Sequence, residues 1–280
     1  MAQAETYDID SLQVCPKPVL DACCERMACE GCGKKVKFFC YYCYRPVPTL
    51  EGKIPQIRLP FKLEVVKHEE ERDGKSTAIH AKVVAPHDVE IIAYSATCID
   101  NVDIERTALL FPGPDAKNIS DLDPGSFDKV IVIDGTWSQA KGMIYHNPRL
   151  QRMQKVTVNP RRTRFWRYQS FDERYMATIE AIYFLYRDSV RGMYNGEYDA
   201  LMYFFKYFYD FIQSEYAATP EKSFHAKHQK GYISYKTAAP GSSHRQLKPR
   251  AGVGANYEFD SLDLDATFQE PQEEDQWSQA

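Results

Sequence analysis

The chain places an acidic side chain directly after a short, unbroken run of β-branched residues. Residues 130–133 read Val-Ile-Val-Ile, which is typical of a strand buried on both faces of a sheet. Asp134 follows at once, and Gly135 permits a tight turn. Thr136 can cap a helix that begins at Trp137. Open α/β sheets bind ligands where strands end and helices begin, so this stretch predicts a site. A plain strand end with a tryptophan packed on the sheet is the alternative.

A second group of chemically capable side chains lies near the start of the sequence. Two C-x-x-C pairs are separated by seven residues, which is the spacing of a compact zinc ribbon. Four thiolates would close a tetrahedral ion and leave no open position, so the predicted role of the zinc is structural. The predicted ligands are Cys29, Cys32, Cys40 and Cys43. The sequence leaves open whether Cys15, Cys23 or Cys24 takes part.

A third group is basic. The segment between Gly135 and Phe171 holds eight Lys or Arg and no acidic residue. Clustered arginines among aromatic side chains favour a surface that holds phosphates and stacks on bases. The candidate cations are Arg149, Arg152, Lys155, Arg161, Arg162, Arg164 and Arg167, and the aromatics among them are Phe165, Trp166 and Tyr168. An ordinary solvated face is the alternative.

The overall charge hides this asymmetry. The 280 residues carry a formal net charge of −4, but residues 251–280 contain eight Asp or Glu and no Lys or Arg. Removing these eight negative charges changes the net charge to +4. A basic functional face with a separate acidic tail is therefore expected. No long uncharged apolar stretch and no signal-peptide pattern is found, so we expect neither secretion nor a membrane span.

The elements that must position these residues alternate between strands and helices. Strands are predicted at 61–67, 89–94, 107–111, 130–133 and 155–158. Helices are predicted at 76–84, 137–150, 174–191 and 197–216, the last mostly a core element. This alternation predicts an α/β fold with a mostly parallel sheet.

Composition divides the chain into four parts. Residues 1–14 are expected to be flexible, and residues 15–46 form the zinc-ribbon module. Residues 47–218 form the α/β domain. Residues 219–280 are a linker and a disordered acidic tail, since their composition cannot bury enough apolar surface to order itself.

Four stretches resemble the motifs of the DTW-domain family, in the same order. Residues 109–116 resemble its L-F-P-x-x-x-A motif, residues 134–137 its D-x-T-W motif, and residues 176–181 its S/T-x-E-A motif. Residues 68–81 resemble its early H-x-x-E…S-T segment, from which Glu69 and Gly74 depart. Lys75 in this segment joins the candidate RNA-binding residues. With the cysteine pairs, the resemblance covers residues 20 to 215.

The resemblance implies a SPOUT-like fold with a C-terminal knot that holds S-adenosylmethionine. It implies transfer of the 3-amino-3-carboxypropyl group to N3 of a tRNA uridine in the D-loop, with release of methylthioadenosine. Asp134 is the expected base, and Trp137 either stacks on a base or braces the turn. The expected cofactor-binding residues are Leu110, Phe111, Pro112, Ile133, Asp134, Gly135, Thr136, Trp137, Ala177, Thr178 and Glu180.

Two other functions stay open at this stage. The chain is alternatively a zinc-ribbon RNA-binding protein without activity, or an RNA methyltransferase of the SPOUT type. Under all three hypotheses the partner is RNA, with tRNA favoured, and no obligate protein partner is evident. The expected location is the nucleus, the cytoplasm or both.

Overall fold

The computed structural model describes residues 5–123, 125–166 and 175–218. Within these ranges the extended segments are short and are spread along the whole length. The strands are β1 (Glu5–Thr6), β2 (Met27–Ala28), β3 (Lys35–Val36), β4 (Lys62–Lys67), β5 (Val89–Ala93), β6 (Thr107–Leu110), β7 (Lys117–Asn118), β8 (Lys129–Asp134), β9 (Gln154–Thr157) and β10 (Arg161–Arg162).

Six of these strands form one sheet in which every neighbouring pair is parallel. The order across the sheet is β5-β4-β8-β6-β9-β7. Val130, Ile131 and Val132 of β8 are buried, because β8 is internal to the sheet and both faces are covered. The predicted α/β class with a mostly parallel sheet is confirmed. The knot implied by the family resemblance stays a prediction.

The parallel arrangement brings the ends of distant segments to one edge. Lys67 at the end of β4 lies opposite Asp134 at the end of β8. Leu110 at the end of β6 lies opposite Val132. Loops that follow these three strands therefore share the C-terminal edge of the sheet, where open α/β sheets bind ligands.

Each predicted helical stretch contains a helix, but the described residues form six helices rather than four, and their bounds differ. They are α1 (Lys17–Asp21), α2 (Ala78–Val84), α3 (Trp137–His146), α4 (Pro148–Arg152), α5 (Thr178–Ser189) and α6 (Tyr203–Ala218). The single helix expected at 137–150 is broken at Asn147, which caps α4 with its side chain just before Pro148. Proline has no amide hydrogen to continue a helix but fits the first position of a new one.

Helices cover the sheet through apolar faces. Met143 of α3 and Leu150 of α4 join Leu109 and Ile131 of the sheet in one buried cluster. The last helix begins later than predicted, since a 3₁₀ turn at Asp199–Met202 precedes it. Its Phe204 and Phe205 are fully buried, which confirms α6 as a core element.

The amino-terminal segment differs from the expectation of a flexible tail. β1 pairs with β10 in parallel, and Tyr7, Ile9 and Leu12 are buried. The prediction was wrong for this segment because its apolar side chains are too widely spaced to show a periodic pattern. The linker and acidic tail predicted at 219–280 lie outside the described residues.

The cysteine-rich segment is a small hairpin joined to the sheet domain by aromatic packing. β2 and β3 pair antiparallel and carry the first cysteine pair between them. Phe38 packs edge-on against Tyr207 of α6. Phe39 packs against His80 of α2 and Phe204 of α6. In the part of the chain that the structure describes, no helix is long and apolar enough to span a membrane.

Candidate active site and metal centre

A cavity of about 240 Å³ opens at the C-terminal edge of the sheet. It collects side chains from the ends of β6, β8 and β9 and from the starts of α3 and α5. Its lining is apolar and aromatic with two threonines, and it includes no charged side chain among the described residues. The lining residues are Leu110, Phe111, Pro112, Val132, Ile133, Gly135, Trp137, Ala140, Val156, Thr157, Val158, Pro160, Met176, Thr178 and Ala181.

Seven of the predicted cofactor-binding residues line this cavity: Leu110, Phe111, Pro112, Ile133, Gly135, Trp137 and Thr178. Four do not, and their positions differ in kind. Thr136 is exposed at the helix start, whereas Asp134, Ala177 and Glu180 are buried. The three family-like stretches thus meet at one place, but only part of each faces the cavity.

Asp134 lies just behind the lining and is held by two hydroxyl groups. Ser76 Oγ donates to Oδ2 at 2.6 Å, and Thr178 Oγ1 donates to Oδ1 at 2.6 Å. The Asp134 side chain is only 3% exposed, so these donors also offset the cost of burying its charge. Thr178 lines the cavity and therefore connects the buried carboxylate to the space where a substrate would sit.

Thr77, which follows Ser76, anchors the start of α5. Thr77 Oγ1 accepts a hydrogen bond from the backbone N–H of Ile179 at 3.1 Å. Ser76 and Thr77 together therefore fix the end of β8 and the first turn of α5 relative to each other. Neither residue was predicted to be a site residue, although both lie in the segment that resembles a family motif.

The turn after Asp134 is formed as the sequence predicts. Thr136 Oγ1 accepts from the backbone N–H of Gln139, and Gln139 Oε1 accepts from the backbone N–H of Thr136, which is a capping box. A Cβ atom at Gly135 would lie 3.1 Å from Gln139 Oε1 and 3.2 Å from His68 Cβ. A side chain here would make both the cap and the neighbouring loop shift by a few tenths of an ångström, so the position favours glycine.

Three aromatic rings stand together beside the cavity. The ring centroid of Trp137 is 5.5 Å from that of Phe111 and 4.7 Å from that of Tyr175, the latter in an edge-to-face arrangement. Trp137 is half-buried and lines the cavity. Aromatic faces attract both cations and flat bases, so this group suits a sulfonium or a nucleobase. Tyr175 was not among the predicted residues.

Glu180 is fully buried away from the cavity and organises the chain around it. Its carboxylate accepts from Tyr7 Oη at 2.6 Å and from Thr163 Oγ1 at 2.6 Å. It also accepts from the backbone N–H groups of Arg164 and Ala177. Burial raises its pKa above 4.5, although these hydrogen bonds act in the opposite direction. Glu180 therefore holds the loop before α5 and does not line the cofactor space.

Several of the predicted RNA-binding cations are used inside the protein. Arg161 is buried and makes a bidentate ion pair with Asp188, both N···O distances being 2.7 Å. The guanidinium of Arg149 donates to the carbonyls of Ile99 and Val102, and that of Arg164 donates to the carbonyl of Tyr7. These three arginines hold loops through these contacts, and RNA binding by them stays a prediction.

The remaining cations of that prediction fall into different environments. Arg152 and Arg162 are exposed, Lys75 is half-buried, and Lys155 donates to the carbonyl of Gln151 at 3.1 Å. Arg167 and Tyr168 lie outside the described residues. The aromatics Phe165 and Trp166 are 7% and 6% exposed and pack against Phe205 of α6. They belong to the core, which a sequence pattern of alternating Arg and aromatic residues cannot distinguish from a binding surface.

The four predicted cysteine ligands converge. The sulfur atoms of Cys29, Cys32, Cys40 and Cys43 all lie within 4.8 Å of one another. Four sulfurs at about 2.3 Å from a tetrahedral zinc would be about 3.8 Å apart, so the group fits this ion. Cys23 is instead buried with its thiol 3.0 Å from the carbonyl of Lys37, and Cys15 and Cys24 are exposed.

The two cysteine pairs have matching backbones. The N–H of Gly33 donates to the carbonyl of Cys29, and the N–H of Tyr44 donates to the carbonyl of Cys40. Gly33 and Tyr44 both have positive φ, 72° and 57°. A Cβ at Gly31 would lie 2.9 Å from Cys43 Sγ, so only glycine lets the second pair approach the first.

The neighbouring thiols compete for their protons, and the pKa values of two of them are shifted in opposite directions. Hydrogen bonding from the Cys32 backbone lowers the pKa of Cys29 to about 7. Hydrogen bonding with Cys32 raises the pKa of Cys43 to about 12, to which burial and the other thiols add. A divalent ion would remove this competition, because it binds the deprotonated form of every ligand.

The chain is similar in sequence to a known domain family and to named proteins. The family model of the DTW domain matches residues 37–213. A protein of Xenopus laevis named tRNA-uridine aminocarboxypropyltransferase 1 is 32% identical over 260 residues, 75% of this chain and 89% of the relative. Proteins of the same name from Homo sapiens and Mus musculus are 34% and 32% identical over 239 residues, 68% of this chain and 78% of each relative. No solved structure matches the chain.

Proposed function

The chain belongs to the DTW domain family, and we propose that it transfers the 3-amino-3-carboxypropyl group of S-adenosylmethionine to a uridine in tRNA. The observation that carries this proposal is the cavity at the C-terminal edge of the sheet, where three family-like stretches meet around Asp134 and Thr178. The match to named transferases covers most of the chain, which supports an enzyme rather than an inactive scaffold.

We propose that the cavity at the sheet edge binds the donor. Apolar side chains from Leu110 to Pro112 and from α5 suit an adenosine, and backbone groups of the same loops are available for its polar atoms. The ring of Trp137, held by Phe111 and Tyr175, suits a positively charged sulfonium or the face of a base. When bound, the donor supplies an electrophilic carbon and a thioether leaving group.

The acceptor nitrogen, N3 of uridine, must lose a proton as it forms the new bond to carbon. We propose a relay for this proton. Thr178 Oγ1 takes it from N3 and passes its own proton to Asp134 Oδ1, to which it is already hydrogen bonded at 2.6 Å. The carbon–sulfur bond breaks as the carbon–nitrogen bond forms, so methylthioadenosine leaves. Ser76 keeps the carboxylate in place from its other oxygen.

The cysteine cluster fits one structural zinc ion held by Cys29, Cys32, Cys40 and Cys43. Four thiolates leave no position for a reactant, so we assign the ion no chemical step. The target position in the D-loop of the tRNA, the knot, and a location in the nucleus or cytoplasm belong to the same proposal, and the family resemblance supports them.

The experiment is mass spectrometry of nucleosides from unmodified tRNA incubated with the protein and S-adenosylmethionine. We expect one uridine per tRNA to gain the mass of an aminocarboxypropyl group, with methylthioadenosine released in equal amount. A gain of one methyl group would contradict the proposed transfer and support a methyltransferase. Unchanged RNA across a full set of tRNAs would contradict the enzyme proposal and support a binding protein.

A further inference from the structure

Much of the segment that was predicted to bind RNA makes contacts inside the protein. The aromatic and basic segment around residues 149–166 is largely used for packing and for internal hydrogen bonds. An RNA substrate still requires exposed cations for its phosphates and, for unpaired nucleotides, exposed aromatic rings. Elsewhere on the described surface, an exposed aromatic ring and exposed cations lie together in the cysteine-rich segment.

The second cysteine pair carries such a ring. Tyr42 lies between Cys40 and Cys43, and its side chain is 51% exposed. Lys34, from the loop after the first cysteine pair, places its Nζ 3.1 Å from the centroid of the Tyr42 ring. One side of the ring is thus occupied by a cation, and the ring is anchored through the backbone of a metal-binding turn. A rigid exposed tyrosine loses little entropy when a base stacks on it.

The segment that carries this ring, between Glu30 and Glu51, is basic. Residues 31–50 contain four Lys or Arg and no Asp or Glu. Lys34, Lys35 and Arg45 are exposed, and within the described ranges none of them pairs with a carboxylate. Some of this charge offsets the four thiolates. Offsetting the thiolate charge explains the cations but not the exposed aromatic ring among them. Binding of single-stranded RNA explains both, because unpaired bases stack on exposed rings.

The second cysteine pair is connected to the residues behind the cavity through aromatic packing. Phe39, next to Cys40, packs against His80 in the first turn of α2, with ring centroids 5.7 Å apart. That turn directly follows Ser76 and Thr77, which bind Asp134 and the start of α5. The second cysteine pair therefore follows a residue that packs close to the segment holding Asp134.

We propose that Tyr42, Lys34, Lys35 and Arg45, here named the knuckle face, bind the tRNA substrate next to its target uridine. Tyr42 stacks on an unpaired base, and Lys35 and Arg45 contact phosphates. The inference rests on the proposed function for its choice of RNA. The knuckle face would then select RNA in which the target lies among unpaired nucleotides, since a base inside a duplex cannot reach the ring.

The test uses the full-length, zinc-loaded protein with unmodified tRNA and no donor, so that binding is measured apart from transfer. Tyr42→Ala should weaken tRNA binding at least fivefold, as expected from about 1–3 kcal/mol per stacked base, and Tyr42→Phe should retain it. Tyr145→Ala is the matched control, because Tyr145 is 73% exposed but lies on α3. Zinc content and thermal unfolding are measured for each variant.

A second pair of variants tests the phosphate contacts. Both substitutions lie outside the turn from Cys40 to Cys43. Lys35→Ala and Arg45→Ala should each weaken binding, and each should lower the slope of log affinity against log salt by about 0.7, the value for one phosphate contact on a single strand. Lys141→Ala, at an exposed site on α3, should leave the slope unchanged.

The outcomes separate this inference from the proposed function. If wild-type protein modifies tRNA but Tyr42→Ala and both charge variants bind it within twofold of wild type, the knuckle face is not a substrate site and the transfer proposal stands. If wild-type protein binds tRNA with the predicted sensitivity but modifies none, the knuckle face is supported and the transfer proposal fails. Absence of tRNA binding by wild-type protein overturns the inference.

Discussion

Asp134 shows how a buried carboxylate can take part in chemistry at a surface it barely reaches. Its two oxygens each receive a hydroxyl hydrogen bond, and one of those hydroxyls belongs to a side chain that lines the cavity. The sequence identifies Asp134 because a carboxylate after a buried strand is visible locally. It does not identify Ser76 or Thr178 as its partners, because these lie 58 and 44 residues away and pair with it only through the sheet.

The relay predicts different results for two substitutions of one residue. Thr178→Val should lower kcat by about 10²-fold, the lower range for loss of general acid–base assistance, because it removes the hydroxyl. Thr178→Ser should remain within a few-fold of wild type, since the hydroxyl is kept. Single-turnover rates with saturating donor are the measurement. Rapid transfer by the valine variant would exclude Thr178 from the proton path.

Arg161 is expected to matter for stability rather than for RNA binding. Arg161→Ala leaves the buried Asp188 carboxylate without its partner and should lower the free energy of unfolding by about 3–5 kcal/mol. Arg152→Ala, an exposed arginine of the same predicted stretch, should change it by less than about 0.5 kcal/mol. Urea denaturation of both variants gives the comparison, and equal effects would contradict the assignment.

Among the elements, the short amino-terminal strand is one that the sequence did not predict. Its position depends on Tyr7, whose hydroxyl reaches a glutamate on α5, and no local pattern encodes a contact of that range. Sheet strands and core helices were predicted well, because runs such as residues 130–133 carry their own signal. Helix bounds were predicted less well, as the break before Pro148 shows.

The amino-terminal segment yields a prediction that depends on pH. Tyr7→Phe removes a hydrogen bond to buried Glu180 and should cost about 1.5–3 kcal/mol of unfolding free energy at a pH where the carboxylate is ionised. Burial raises the pKa of Glu180 above its ordinary value, and loss of the Tyr7 donor raises this pKa further. The cost should therefore shrink as pH falls through that pKa, because the protonated acid needs the donor less. Chemical denaturation at several pH values measures it, and a cost that is constant with pH would contradict this account.

For the whole molecule, the cysteine-rich segment, residues 15–46, and the sheet domain stabilise each other through shared aromatic packing. Phe38 and Phe39 follow the first cysteine pair and insert against α2 and α6. The sequence predicted the four ligands from spacing alone. It could not predict this docking, because the partners of the two phenylalanines come from helices about forty and 165 residues further along the chain.

Removal of the metal should therefore destabilise more than the module itself. Cys43→Ser should reduce bound zinc from about one ion per chain and lower the midpoint of thermal unfolding by several degrees. Cys24→Ser, which alters an exposed cysteine outside the cluster, should change neither quantity. Zinc is measured by elemental analysis and unfolding by calorimetry. A Cys43 variant with full zinc content would exclude this cysteine as a ligand.

The pairing of β1 with β10 affects the order in which parts of the protein fold during synthesis. During synthesis, residues 5–12 emerge before their strand partner, which is about 155 residues behind them, and before Glu180, which is further still. Until α5 has left the ribosome, this segment has nothing to pair with, and its buried side chains stay exposed to solvent and to chaperones. Contacts between such distant residues form slowly. Residues 5–12 should thus be among the last to acquire their native structure, and a nascent chain stalled before α5 should remain open to proteolysis there.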